Sequence, residues 1–223
     1  MSVVKLATLC ALAVAVTGTR TDASIIHVTH TGTVSSGVDY EGLFGTAGTD
    51  ITGEDYIVVY SVDTSLSTRH SVDVPGAYSV DQYCCDWASA AITIGGQTFS
   101  FTASGGIARA LNDPGYSWAR AITQDTVWNS NYYLYHQVAS PDNFIGSADV
   151  TQPFFHTLTQ ADFDTGETTG YFFTTADNLY LRDETISSDG GVPEPASWAM
   201  MVGGFGLVGG ALRGRGKPAV RFA

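Results

Sequence analysis

Short runs of β-branched and aromatic residues recur along the middle of the chain, separated by clusters of Gly, Asp, Asn and Ser. Between Ser24 and Gly191 no stretch keeps apolar residues at a helical period over three turns. Such runs predict strands rather than helices. Predicted strands include Ile25–Thr31, Tyr56–Asp63, Ala91–Ile94, Thr98–Thr102, Thr126–Val138, Phe154–Leu158, Gly170–Thr175 and Asn178–Ile186. Gly95-Gly96, between ITI and QTFSF, predicts a tight hairpin. Asp113-Pro114-Gly115 predicts a turn in which proline presets φ and glycine accepts a positive φ. The expected fold is all-β: an antiparallel two-sheet sandwich or jelly roll, with scattered acids blunting its edges.

The two ends break this pattern. Lys5 precedes the apolar run Leu6–Val16, which is too short to span a bilayer and suits a signal peptide. Cleavage is expected after Ala23, with Gly18 as the alternative. Cys10 follows bulky Leu9 and does not read as a lipidation site. At the other end, Pro193-Glu194-Pro195 makes an extended breaker, since proline disfavours helix in the residue before it. An uncharged stretch, Ala196 to Leu212, follows with Trp198 near its start. As a helix at about 1.5 Å per residue it reaches about 25 Å, the short end of a membrane span. Arg213, Arg215, Lys217 and Arg221 come next and would stay cytoplasmic, leaving residues 24–191 outside. Three parts result: a signal peptide 1–23, a β domain 24–191 and a sorting tail 192–223. The middle part has the length of one domain.

Charge sharpens the picture. The chain of 223 residues has 10 basic and 22 acidic side chains. Between Ser24 and Val192 the only cations are Arg69, Arg109, Arg120 and Arg182, and there is no lysine. So acidic a surface excludes nucleic acid as a partner and adsorption to anionic lipid. It suits solubility outside the cell, with a divalent cation or a cationic partner as the sharper alternative.

The tail resembles the PEP-CTERM sorting signal in its PEPxxWA form. The residues that carry the resemblance are Pro193, Glu194, Pro195, Trp198 and Ala199, then Met200, Met201, the Gly204–Gly209 stretch and the basic cluster. Gly214 and Gly216 interrupt that cluster, a small departure from the family pattern. The resemblance implies a Gram-negative bacterium and an exosortase-type membrane protease as processing partner. It implies transient anchoring in the inner membrane through the C-terminal helix, then delivery to the cell surface or an exopolysaccharide matrix. The segment Gly32–Asp63, rich in glycine, also looks like the N-terminal stretch of many exported PEP-CTERM β-proteins. Its glycines, Gly37, Gly42, Gly45, Gly48 and Gly53, predict a compact looping connection between two strands.

Candidate chemistry is sparse. His27, His30, His70, His136 and His156 show no zinc-motif spacing, so no metal or other cofactor is expected from linear sequence. Spacing does not see histidines that a fold brings together. His27 and His30, three apart in a strand, should point to opposite faces. Asp162 and Asp164, in DFDTGE, offer hard oxygens at a turn but lack the other ligands of a calcium loop, so a solvated turn is the expectation. There is no GxSxG elbow, and no pair of carboxylates stands out for glycoside cleavage. Cys84 and Cys85 are adjacent, and outside the cytoplasm they form a vicinal disulfide, stay free or bridge chains. Tyr116, Trp118, Trp128, Tyr132, Tyr133 and Tyr135 lie close together; most are expected in the core, with an exposed subset able to stack on sugar rings. The expected function is that of a non-catalytic surface or matrix protein associated with exopolysaccharide. A carbohydrate-binding module is the alternative, and a secreted hydrolase is the less favoured one.

Overall fold

The computed structural model describes residues 25–75, 78–84, 88–113, 121–145 and 148–190. The expected signal peptide, the sorting motif Pro193-Glu194-Pro195 with Trp198 and Ala199, the basic cluster, Cys85 and the Pro114-Gly115 turn lie outside these residues.

Among the described residues, fourteen strands and one helical turn follow in chain order. They are β1 (Ile25–Ser36), β2 (Val38–Asp39), β3 (Thr49–Asp50), β4 (Asp55–Asp63), β5 (Thr68–Val74), β6 (Tyr78–Cys84) and β7 (Ala88–Ile94). Then come β8 (Gln97–Thr102), β9 (Gly105–Asn112), β10 (Ala121–Trp128), β11 (Tyr133–Ser140), β12 (Phe154–Thr157), α1 (Gln160–Phe163), β13 (Thr169–Phe173) and β14 (Asn178–Ser188). All the strand pairs are antiparallel, as expected. Among the described residues no helix is long and apolar enough to cross a membrane.

One ladder runs β5-β6-β9-β10-β11-β13-β14-β1-β4-β7-β8, with β12 added on β14. It curls over its own core so that β7 comes to face β9 and β10. Two layers thus enclose the core as in a sandwich, but no gap divides them into separate sheets. The reason is β14, which is hydrogen-bonded on both sides, to β13 and to β1. The β1–β14 register slips between Thr31 and Gly32 and again between Val34 and Ser36. Such bulges bend a strand and increase its twist, which is what a curled sheet needs. Gly32 is required at the first slip: a Cβ there would lie 1.9 Å from the Arg182 carbonyl oxygen.

Alternation decides the core. Ile26, Val28, His30 and Val34 of β1 and Tyr56, Val58, Tyr60 and Val62 of β4 point inward and are buried. Leu134, Phe172, Leu179, Leu181 and Ile186 meet them from the other strands. At the end where β7 faces β9 the inward residues are small: Ala88, Ala90, Ala108 and Ala110 are all buried. A Cβ on Gly106 would come within 2.6 Å of Ala88 Cβ, so the layers approach closely there. Gly95 and Gly96 both take positive φ in the β7–β8 hairpin, as their position predicts.

The glycine-rich segment makes the compact connection expected of it. Its Asp39 carboxylate accepts from the Leu43 and Phe44 amides, at 2.8 Å each. The expected strand Thr126–Val138 is instead two strands of a hairpin. The Asn129 side-chain oxygen accepts from the amides of Asn131 and Tyr132 and turns the chain there. β5, β6 and β9 were not in the expected set. β5 is exposed along its whole length, Val72 and Val74 included, and β9 reads GGIARALN, poor in β-branched residues.

Candidate functional site

Two places in the domain concentrate chemistry: a sealed polar cluster inside the curl and an aromatic sheet face outside it.

The sealed cluster is built from inward positions of five strands. β1 supplies His30, β4 Tyr56 and Tyr60, β10 Asp125, β11 His136 and β14 Asp183. Every one is buried, with at most 3 % of its surface exposed. Strand register explains the convergence. Asp125 and His136 are direct partners across β10–β11, and Gly32 of β1 pairs with both Tyr56 and Asp183. The bulge in β14 matters most. Ile186 points inward, yet so does Asp183, an odd number of residues away. The register slip at Glu184 flips the alternation, placing Asp183 inside and Arg182 outside.

The side chains interlock. His30 Nε2 lies 3.2 Å from Asp125 Oδ2 in a hydrogen bond, and His30 Nδ1 lies 3.3 Å from Asp183 Oδ1. His136 Nδ1 shares a 2.7 Å hydrogen bond with Tyr60 Oη, and its Nε2 lies 3.6 Å from Asp183 Oδ1. The Tyr56 hydroxyl donates to Asp183 Oδ1. Three buried atoms nevertheless lack a hydrogen-bond partner: His30 Nδ1, His136 Nε2 and Asp183 Oδ2. Gly170, opposite His136 in the register, leaves room for the imidazole; a Cβ there would lie 2.7 Å from His136 Cδ2.

The electrostatics put one positive charge in the cluster. Burial disfavours the His30 cation, but the carboxylates of Asp183 and Asp125 outweigh it and push His30 up to about 9. Burial drives His136 down to about 3, against the pull of Asp183 and with the help of the neighbouring His30 charge. Burial raises Asp125 despite its bond to His30. Asp183 is held below the ordinary carboxylate range: burial opposes ionisation, but both imidazoles and the Tyr56 hydroxyl prevail. Burial raises the phenols of Tyr56 and Tyr60 well above their ordinary value.

Sequence spacing missed this cluster because its members come from strands far apart in the chain. The one usable signal was the expectation that His27 and His30 point oppositely. His30 is indeed inside, whereas His27 is half-buried on the outer face and its Nδ1 bonds the Ser61 hydroxyl at 2.9 Å.

The aromatic face lies on the outer side of β11, β13 and β14. Tyr135, Tyr171 and Tyr180 are cross-strand partners in one row, and Tyr133 and Phe173 pair in the next. The rings lie nearly parallel: Tyr135 to Tyr171 is 4.8 Å at 16°, Tyr171 to Phe173 4.6 Å at 14°, and Tyr133 to Tyr171 5.8 Å at 16°. Tyr180 stands on edge to Phe173 and is 50 % exposed, while the other four are half-buried. Polar groups line the neighbouring row, where Tyr135 Oη donates to Gln137 Oε1 and Gln137 Nε2 to Glu167. Partial burial and the neighbouring phenol of Tyr171 push Tyr133 and Tyr135 up to about 12, so both stay neutral. Tyr132, by contrast, packs inward against Phe99, Phe101 and Phe172. Trp128, the partner of Tyr133 across β10–β11, is half-buried, and Tyr116 and Trp118 lie outside the described residues.

The remaining sequence candidates fall elsewhere. The Asp162 carboxylate accepts from the Thr159 amide at 2.6 Å and bonds His156 Nε2 at 3.1 Å, closing the turn of α1. Asp164 Oδ1 accepts from Gln160 Nε2 at 2.8 Å. Both carboxylates are thus already engaged, Asp164 within its own turn and Asp162 also by Ser140 of β11. Cys84, at the end of β6, is disulfide-bonded, and its partner lies outside the described residues. Comparison with family models, with curated proteins and with solved structures finds no match.

Proposed function

We propose that this chain is an exported, non-catalytic envelope protein whose β domain holds polysaccharide on its aromatic face. The carrying observation is the ladder of near-parallel rings from Tyr133, Tyr135, Tyr171 and Phe173, extended by Tyr180. A sugar ring presents a face of C–H groups that packs on aromatic rings. Rings stacked on one another at 4.6–4.8 Å cover much of each other's faces, so the half-exposed Tyr180, on edge to Phe173, is the most open platform. Phenol hydroxyls and amides take the sugar hydroxyls. A sheet holds such rings rigidly, so little side-chain entropy is lost on binding. Gln137 and Glu167 supply the polar border. The acidic, lysine-free surface suits a neutral or cationic glycan rather than a polyanionic one.

Two features support the rest of the reading. The tail from Pro193 to the basic cluster at Arg213, Arg215 and Lys217 has the order of a sorting signal, which supports delivery through an exosortase-type protease to the surface or matrix. The polar cluster with the most perturbed ionisations is sealed from solvent, which supports a structural rather than a catalytic use for it.

Affinity electrophoresis through gels containing the producing cell's extracted exopolysaccharide tests the binding. Retardation of the protein, relieved by Tyr171→Ala with Tyr180→Ala, is the expected result. Equal mobility with and without polysaccharide would refute it.

A further inference from the structure

We propose that His30, His136 and Asp183 bind a divalent transition-metal ion, Zn2+ foremost, as a structural cross-link between β1, β11 and β14. This goes beyond the polysaccharide reading and does not depend on it.

The first ground is geometry. A zinc ion held at about 2.0–2.1 Å by tetrahedrally placed ligands sets donor atoms about 3.3–3.4 Å apart. His30 Nδ1 and His136 Nε2 lie 3.3 and 3.6 Å from Asp183 Oδ1. One donor atom from each of the three residues falls within 4.8 Å of both others. The donor set, two imidazole nitrogens and a carboxylate oxygen, is the mixture that borderline divalent ions take, whereas calcium and magnesium prefer oxygen alone.

The second ground is satisfaction. His30 Nδ1, His136 Nε2 and Asp183 Oδ2 are buried without hydrogen-bond partners. Unpaired polar atoms in a protein interior are costly, and an ion among them removes the cost. The nitrogens that face away from the site are those that do have partners. His30 Nε2 bonds Asp125, His136 Nδ1 bonds Tyr60, and the Tyr56 hydroxyl braces Asp183. This division is what orients imidazoles as ligands: the outward nitrogen is tied to a carboxylate or hydroxyl, and the inward nitrogen, deprotonated on binding, faces the metal. A network serving only as a hydrogen-bonded plug has no need to leave both inward nitrogens without a hydrogen bond, nor the second oxygen of Asp183.

The site is closed on every side by strand and side chain, so the ion would enter as the sheet curls shut. Binding then adds to folding free energy and releases protons from the ligands. Three protein donors leave one tetrahedral position, which the second Asp183 oxygen, Oδ2, or a water carried in with the ion would fill; closed off from solvent, the ion then acts as a staple.

The test uses the full-length chain, purified in detergent, stripped with chelator under mild denaturation and refolded with or without ZnCl2. One zinc per chain by elemental analysis is expected, with a melting temperature about 5–10 °C higher at a hundredfold excess over Kd. CoCl2 in place of zinc should give the intense visible absorption of a tetrahedral N/O site. Asp183→Asn should abolish this binding; Tyr60→Phe, which leaves every ligand in place, should weaken it about 10–100-fold. His70→Gln, on exposed β5, should leave it unchanged. Wild-type protein that refolds without metal, retains none on exposure to either ion and shows no thermal shift would overturn the proposal. So would binding that His70→Gln abolishes and Asp183→Asn preserves.

Discussion

The imidazoles of His30 and His136 stack at 4.3 Å between centroids, with 28° between their planes, in the centre of the domain. Two histidines so close and so deeply buried are not both cationic; like charges at that distance repel strongly in a low dielectric. Tyr60 packs edge-on against both rings, and Tyr56 lies tilted beside His136. The core is therefore built around a polar nucleus rather than a purely aliphatic one.

Removing Asp125 tests how much that nucleus matters. Asp125→Ala leaves His30 Nε2 without its hydrogen-bonded carboxylate in the core. Breaking a buried charge pair from one side costs about 3–5 kcal/mol. Urea denaturation should show a loss in that range, and a loss under 1 kcal/mol would mean that water reaches the cluster.

Gly170→Ala should be damaging although the change is one methyl group. The new Cβ would meet His136 Nε2 at 2.9 Å and Leu181 Cβ at 3.1 Å. The imidazole cannot swing aside without losing its bond to Tyr60. Overpacking of this kind costs about 1–3 kcal/mol, to be read as a lower denaturation midpoint at unchanged m-value.

Arg69 anchors an edge of the sheet. Its Nε and Nη2 donate to the two oxygens of buried Asp81 at 2.8 and 3.1 Å, and Asp81 also accepts from the Val150 amide at 3.1 Å. Arg69→Ala leaves an uncompensated carboxylate against the 148–150 segment and should cost about 1–3 kcal/mol. Amide exchange at Val150 should speed up more than exchange in β1.

Acid should loosen the α1 region. Burial raises Asp162, but hydrogen bonds from Ser140, Thr159 and His156 outweigh it and hold the carboxyl below its ordinary 3.8. A depressed folded value means stability that is present above 3.8 and is lost as pH falls through the folded value. Asp162→Asn should therefore lower stability at pH 6 and flatten its fall below pH 4. Parallel acid profiles for the two proteins would contradict the assignment.

The sorting reading has its own test. Alanines in place of Pro193-Glu194-Pro195 should leave the protein uncut and held in the inner membrane, as seen by fractionation and intact mass. Processing at the wild-type rate would refute it.

The alternation of the chain made much of the sheet legible. The runs at Tyr56–Asp63 and Asn178–Ile186 lie within observed strands, and the Gly95-Gly96 hairpin forms where expected. Local chemistry sufficed there, because a strand of alternating burial and a turn of positive φ are properties of a few neighbouring residues. The hairpin at Asn129 was written in an Asn-Ser-Asn signal that the surrounding aromatic run obscured. β5 and β9 were illegible for a different reason: one is solvated on both faces, and the other owes its strand to small residues that let two layers meet.

By itself, the sequence determined an all-β antiparallel domain between two atypical ends, an acidic surface and the opposite facing of His27 and His30. These follow from side-chain period and charge, which need no partner strand. Only the tertiary structure decided that the sheet curls as one ladder, that Tyr133 and Tyr135 join Tyr171 outside, and that His30, His136 and Asp183 meet inside. Those meetings depend on strand order and on one slipped residue at Glu184. Both are set by the packing of distant segments, and no linear spacing records them.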